Sequence, residues 1–348
     1  MIPALSTLAC AAAISLLVLA PASAADWPAE LVKKIEQIDQ RSPGSVGVYV
    51  KRLDDGKEMS YAGDRPWYLA STAKVPIAVA VLQQVERGKL SMDQQFALAD
   101  TDKVDGSGEL VWQASGKRYS VETLLDAMLM RSDNTAANIL VRAIGQDTLN
   151  AGARDYMGRR EVGELTSYTQ IRYDVYSELH PSARDLSNRN LVEIAGADMG
   201  PARVQAFTRS AELKAADLQV DTMRDAYARY YQRGLNTATM EGYGAMLEKL
   251  VQGKLLPDAK RDMLFEYMKI NEPGEYRLAG GLPRKTSFIH KTGTQFERAC
   301  HVGVINPRES AAIVVAACVE GVDENKPAEN LLREVGQAVA QTVMADKI

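Results

Sequence analysis

Histidine is scarce, with three in 348 residues, and His180, His290 and His301 stand at no recurring ligand spacing, so no metal centre is expected. Charge of one sign is also lacking. The 41 basic and 45 acidic residues leave a formal charge of -4, with neither sign collected in a block. That excludes the polybasic footprint of a nucleic-acid-binding or membrane-surface protein. No segment repeats and none is of low complexity. Outside the first 25 residues no apolar run approaches the ~20 positions of a spanning helix. No cofactor signature is present. What remains is 46% hydrophobic and 25% charged, enough to bury a large core and leave a cleft for a small molecule.

The N-terminus stands apart. An apolar run over 11–20 is followed by Pro21 and the small-residue site Ala22-Ser23-Ala24, the pattern of a cleaved secretory signal. Its n-region carries no Lys or Arg, and a retained anchor is the alternative. Residues 1–24 are thus expected to be removed, leaving 25–348 as a periplasmic or secreted chain without a stable membrane anchor. Cys10 falls within the leader, so only Cys300 and Cys318 remain. They lie in two β-like runs joined by 306–310, and export permits either a disulfide or two buried thiols.

Taken in order, 26–40 reads as an amphipathic helix with Leu31, Ile35 and Ile38 on one stripe. The β-rich runs 45–50 and 58–62 flank Asp55-Gly56, a hairpin signal. A helix apolar nearly all round follows from Ser71, and Pro76 inside it predicts a local kink. Helical patterns then dominate, including 202–233, 239–250 and 257–268. A strand over 287–294 precedes the two cysteine-bearing runs and a last helix over 328–345. This predicts an α+β fold: one five-stranded antiparallel sheet built from both chain ends (25–66 and 280–348) and a helical lobe over 67–279.

Ser71 and Lys74 lie three residues apart, on one face of the predicted helix. A serine hydroxyl is a weak nucleophile, and a lysine buried enough to lose its proton can activate it. Ser132-Asp133-Asn134 and Lys291-Thr292-Gly293 follow in that order. Each short motif is weak alone, and the ordered triplet is specific. With 132–138 running past the minimal triplet as Ser-Asp-Asn-Thr-Ala-Ala-Asn, the chain resembles the class A β-lactamases, within the serine β-lactamase and penicillin-binding-protein superfamily. The resemblance spans roughly 28–158 and 236–345 and implies a three-layer α/β/α, transpeptidase-like domain.

It also implies roles. Ser71 would be the nucleophile, Lys74 its base or proton relay, and Ser132 the donor to the departing nitrogen. Asn134 would hold the substrate's side-chain amide, and Lys291 would supply positive charge. The hydroxyls of Thr292 and Thr294, flanking Gly293, would take the substrate carboxylate, with Arg298 as an extra partner. The N–H groups of Ser71 and Thr294 would form an oxyanion hole. The ligand would be a β-lactam or a D-Ala-D-Ala peptide, bound by a monomer. The activity would be that of a β-lactamase, with a D-Ala-D-Ala carboxypeptidase or a non-catalytic penicillin sensor as alternatives.

One motif is broken. Class A chains carry Glu-x-x-Leu-Asn, whose glutamate activates the water that clears the acyl-enzyme. Here Glu161 heads a run ending in Thr166, and Glu178 precedes Leu179 with Tyr176 two places earlier. Both glutamates are candidate bases. The same region is enlarged: 157 positions separate Asn134 from Lys291, and the surplus is expected around 159–235.

Overall fold

The computed structural model describes residues 26–269 and 276–345, so the expected leader lies outside the described residues. Helix α1 (Trp27–Arg41) buries Trp27, Leu31, Ile35 and Ile38, the stripe expected from spacing. It leads into the hairpin of β1 (Ser45–Arg52) and β2 (Glu58–Tyr61), whose register pairs Val48 with Tyr61 and Lys51 with Glu58. The two-residue strand β3 (Trp67–Tyr68) then delivers the chain to a 3₁₀ turn over Ala70–Ala73 and helix α2 (Lys74–Glu86).

Pro76 costs α2 no hydrogen bond. It is the third helical residue, where a backbone N–H has no intrahelical acceptor to lose. The carbonyl that a longer helix would have bonded there, that of Thr72, instead accepts the Tyr243 hydroxyl at 2.8 Å.

A small sheet of β4 (Gln95–Ala97) and β5 (Arg118–Ser120) precedes α3 (Val121–Met130), α4 (Asn134–Ile144) and α5 (Gln146–Met157). The stretch 159–235, where surplus length is expected, holds α6 (Tyr168–Leu179), α7 (Asn188–Ala195), α8 (Pro201–Ser210) and α9 (Met223–Gln232). The single helix expected over 202–233 is therefore two. Glu212 takes a positive φ of 54° after α8, and Thr222 caps a fresh start by accepting the Asp225 N–H. Strand β6 (Thr237–Ala238) pairs with β3 and returns the chain to the strand that leads into Ser71. Helices α10 (Met240–Val251), α11 (Asp258–Met268) and α12 (Arg277–Gly281) follow. Strands β7 (Phe288–Gln295), β8 (Arg298–Ile305) and β9 (Ile313–Glu320) and helix α13 (Lys326–Thr342) complete the chain.

The main sheet has the order β2-β1-β9-β8-β7, all antiparallel, so both chain ends contribute as expected. Helices α1 and α13 cover one face, where Val46, Val48, Val50, Val315 and Val319 meet Leu332, Val335 and Val339. Alternate residues of the same strands face the other core, with α2, α4 and α10. Cys300 and Cys318 are direct register partners, their Cα atoms 4.1 Å apart, and they form a disulfide between β8 and β9. Among the described residues no helix is long and apolar enough to cross a membrane.

The two histidines of β7 and β8 form a buried pair on the α13 side. His301 Nδ1 accepts the Leu278 N–H at 3.2 Å, which leaves the His301 proton on Nε2, facing His290 Nδ1 at 2.9 Å. Burial first, and the neighbouring Lys291 second, lower His290 from its usual 6.5 to about 4; burial likewise holds His301 well below its usual range. Their contribution is complete above about pH 6.5 and is lost as pH falls towards 4, because the unfolded chain then binds protons that the folded one refuses. Urea midpoints are expected to drop between neutral pH and about pH 5 by more in the parent than in His290→Asn/His301→Asn. Equal drops would contradict this reading.

Candidate active site

The site forms where α2, the α3–α4 junction and β7 meet. The 3₁₀ turn eclipses side chains three apart, so Ser71 and Lys74 stand in line rather than offset. Lys74 Nζ lies 3.0 Å from Ser71 Oγ, 3.1 Å from Ser132 Oγ and 2.6 Å from Asn134 Oδ1, and also meets the Ser132 carbonyl. Two of these partners, the Ser132 carbonyl and Asn134 Oδ1, can only accept. They take two N–H bonds, which leaves a neutral amine one lone pair, able to accept from the hydroxyl of Ser71 or of Ser132 in turn. Lys74 is fully buried, and that burial, reinforced by the charge of Lys291 and opposed by Asp133, holds its pKa well below the usual lysine range.

Ser132 is held in place by strain and by caps. Its φ is +55°, in the left-handed region, and so is that of Ala70 (+47°), just ahead of Ser71. Asp133 caps α4 by accepting the Ala136 N–H at 2.8 Å, and also accepts the Leu110 N–H at 2.9 Å. Asn134 is buried, with its Nδ2 donating to the Asp105 carbonyl at 2.8 Å.

Strand β7 is the sheet edge and forms the opposite wall. A Cβ at Gly293 would lie 2.5 Å from the Leu69 carbonyl oxygen and 3.0 Å from the Ser71 nitrogen, so only glycine lets the strand approach the Ser71 turn. Lys291 is buried, and Thr292 and Thr294 line a cleft of about 260 Å³ together with Ser71, Ser107, Ser132 and Tyr276.

Arg298 does not reach this cleft. Its guanidinium lies over the Tyr231 ring at 4.4 Å and 3.5 Å from Glu320, and it donates to the Glu297 carbonyl. The arginine beside the wall is Arg277 of α12, which the motifs did not reveal. It is buried, donates to the carbonyls of Gly293 (2.8 Å) and Cys300 (2.9 Å), and reaches Thr294 Oγ1 at 2.7 Å.

Neither candidate glutamate is brought to Ser71. The Glu161 carboxylate accepts the Thr239 hydroxyl at 2.6 Å, beside Gly242 at the start of α10. Glu178 sits near the end of α6, 3.8 Å from Arg233. No carboxylate belongs to the described residues lining the cleft. The side chain against the Ser71 turn is Tyr168, at the start of α6. Its hydroxyl donates to the Ala70 carbonyl at 3.2 Å, its ring lies 4.5 Å from Lys74 Nζ, and its N–H donates to Asn138 Oδ1 at 2.8 Å. Burial raises the Tyr168 hydroxyl well above its usual range, with the Ser71 hydroxyl offsetting part of the shift. Among the described residues no group of three or more His, Cys, Asp or Glu could hold a metal.

A serine and a buried lysine on one turn, faced by a second serine and a lysine-bearing edge strand, define an active-serine hydrolase built on a sheet of both chain ends. The family model of the beta-lactamase enzyme family matches residues 30–343, and the chain belongs to that family. It is 25% identical to a beta-lactamase of Mycobacterium tuberculosis over 316 residues, covering 90% of this chain and 85% of that protein. It is also 25% identical over 288 residues to the carbapenem-hydrolyzing beta-lactamase KPC of Klebsiella oxytoca, covering 80% and 77%. Among solved structures, an ancestral class A beta-lactamase is similar at 26% identity with a TM-score of 0.65, covering 89% of this chain and 99% of that one. PBP-A shares the fold at 20% identity and a TM-score of 0.67, covering 90% and 96%.

Proposed function

We propose that the enzyme is a serine β-lactamase that opens the lactam ring through an ester on Ser71. The proton of Ser71 Oγ passes to the Lys74 lone pair as Oγ bonds to the lactam carbonyl carbon. The resulting oxyanion is held by the N–H groups of Ser71 and Thr294, an arrangement whose loss costs roughly 2.7–4 kcal/mol of barrier. On collapse the C–N bond breaks. The nitrogen takes the proton of Ser132, and Lys74 returns one to Ser132. Thr292 and Thr294 bind the substrate carboxylate beside Lys291, with Arg277 orienting Thr294. Asn134 binds the side-chain amide. In the second half-reaction water gives its proton to Lys74 and attacks the ester, and Ser71 leaves as the alcohol. The protein works as an exported monomer, periplasmic or secreted.

The observation that carries this reading is the Lys74 amine, buried and within 3.1 Å of both serine hydroxyls. It is tested by following penicillin hydrolysis in the parent and in Ser71→Ala; turnover is expected to vanish in the variant, and retained turnover would refute the assignment. Tyr168 favours a second reading, a D-Ala-D-Ala carboxypeptidase that β-lactams acylate and leave only slowly. Release of D-alanine from a D-Ala-D-Ala peptide, with a β-lactam adduct that outlasts the assay, would select it.

A further inference from the structure

The enlarged segment grips the loop that orients Asn134. Residues 101–108 cross the top of α4, and Asn188 of α7 donates to the carbonyls of Thr101 (2.8 Å) and Lys103 (2.9 Å). Arg172 of α6 donates through Nε to the Asp105 carboxylate at 2.6 Å, and the two side chains are 11% and 14% exposed. The carbonyl of that same Asp105 accepts Asn134 Nδ2, and the Ser107 carbonyl accepts the Asn134 N–H at 3.1 Å. At Gly106, with φ +103°, a Cβ would stand 2.5 Å from Asn134 Nδ2, so loop backbone and amide are in direct contact.

Arg172 is also linked to the far wall through Tyr227. Its Nη1 lies 3.3 Å from the Tyr227 hydroxyl, the Tyr227 ring stacks on Phe296 at 5.3 Å, and the Tyr231 hydroxyl donates to the Phe296 carbonyl. Phe296 lies in the turn that ends the strand carrying Thr294.

We propose that Arg172 is a positioning residue: through its ion pair with Asp105 it fixes the carbonyl that aims Asn134, so the enlarged segment sets how well the site holds the substrate's side-chain amide. The inference rests on the reading of Asn134 given above. Lys74 fixes Asn134 Oδ1 and Asp105 fixes one Nδ2 hydrogen, which leaves the other hydrogen for the substrate. Removing Arg172 strands a largely buried carboxylate, and the loop must shift to hydrate it. Misplacement of a binding group by about 1 Å can cost up to about 100-fold in rate.

The test uses two β-lactams with one nucleus: benzylpenicillin, which has an acylamino side chain, and 6-aminopenicillanic acid, which has only an amine there. In Arg172→Met the second-order acylation rate for benzylpenicillin is expected to fall about tenfold, while that for 6-aminopenicillanic acid stays within about twofold. Arg172→Lys, which can still pair with Asp105, should recover most of the loss. If Arg172→Met does not fold, Asp105→Asn must show the same selective loss. Equal losses on both substrates, or no loss on either, would overturn the inference alone. Absence of acylation in the parent would overturn the reading of the site and this inference with it.

Discussion

Lys74→Ala is expected to slow acylation of Ser71 by benzylpenicillin about 10³-fold, within the range that a positioned general base contributes. Lys74 contacts both hydroxyls of the proposed proton path and the amide of Asn134, so the substitution removes the base and slackens the residues it joins. Lys74→Arg should not rescue, because a guanidinium stays charged at any working pH and has no lone pair to offer. Acylation in the parent should rise with pH through the lowered pKa of Lys74 and then level, since only the neutral amine accepts the proton. Stopped-flow acylation rates measure all three. A near-normal rate in Lys74→Ala, with the fold intact by circular dichroism, would show that Ser71 is activated by something else.

The second large effect concerns release. Tyr168→Glu is expected to shorten the lifetime of the Ser71 ester by about 10²-fold or more, the value of a carboxylate placed to take a proton from water. Tyr168 occupies the place beside the Ser71 turn and, with its hydroxyl held above its usual range, stays neutral and donates to Ala70. It cannot serve as a base there. The same substitution removes the bond to the Ala70 carbonyl and should lower stability by about 1 kcal/mol, read from urea midpoints. An adduct lifetime equal to the parent's would mean that release is limited elsewhere, for instance by access of water past the enlarged segment.

The difference between the two half-reactions also marks where the sequence was legible. Ser71, Lys74, Ser132, Asn134 and Lys291 stand in short contiguous motifs whose spacing reflects one turn, one cap and one strand, and the structure brings all five together. The sheet was legible for a similar reason, since strands near both termini carry alternating or fully apolar runs. Tyr168 carries no motif: its contact to the site is a hydroxyl on a backbone carbonyl, and backbone carbonyls leave no trace in residue identity. Arg277 stands 16 positions before Gly293 on a separate helix, and meets the wall through two carbonyls and a hydroxyl. Arg298 is near the site along the strand but not in space, because Glu320 on β9 and the Tyr231 ring hold its guanidinium aside. The glutamates likewise stand near in sequence and apart from the cleft in space. The motif's spacing survives at Glu161, but the short bridge between Val162 and Ala238 ties that stretch to β6, and Thr239 takes the carboxylate.

Placement of the disulfide needed register. Only the pairing of β8 with β9 puts Cys300 opposite Cys318, and the sequence left thiols and disulfide equally open. The enlarged segment was recognisable as surplus length, but its use lies in side-chain reach, from Arg172 to Asp105 and from Tyr231 to Phe296, which periodicity does not encode.

The central claim is that Ser71 is acylated, and intact-protein mass spectrometry after brief mixing with benzylpenicillin tests it most directly. The parent is predicted to gain the mass of one whole penicillin, since ring opening expels no fragment, with the added mass on the peptide that contains Ser71. Ser71→Ala should gain nothing. No adduct in the parent, or the same adduct in Ser71→Ala, would contradict the account.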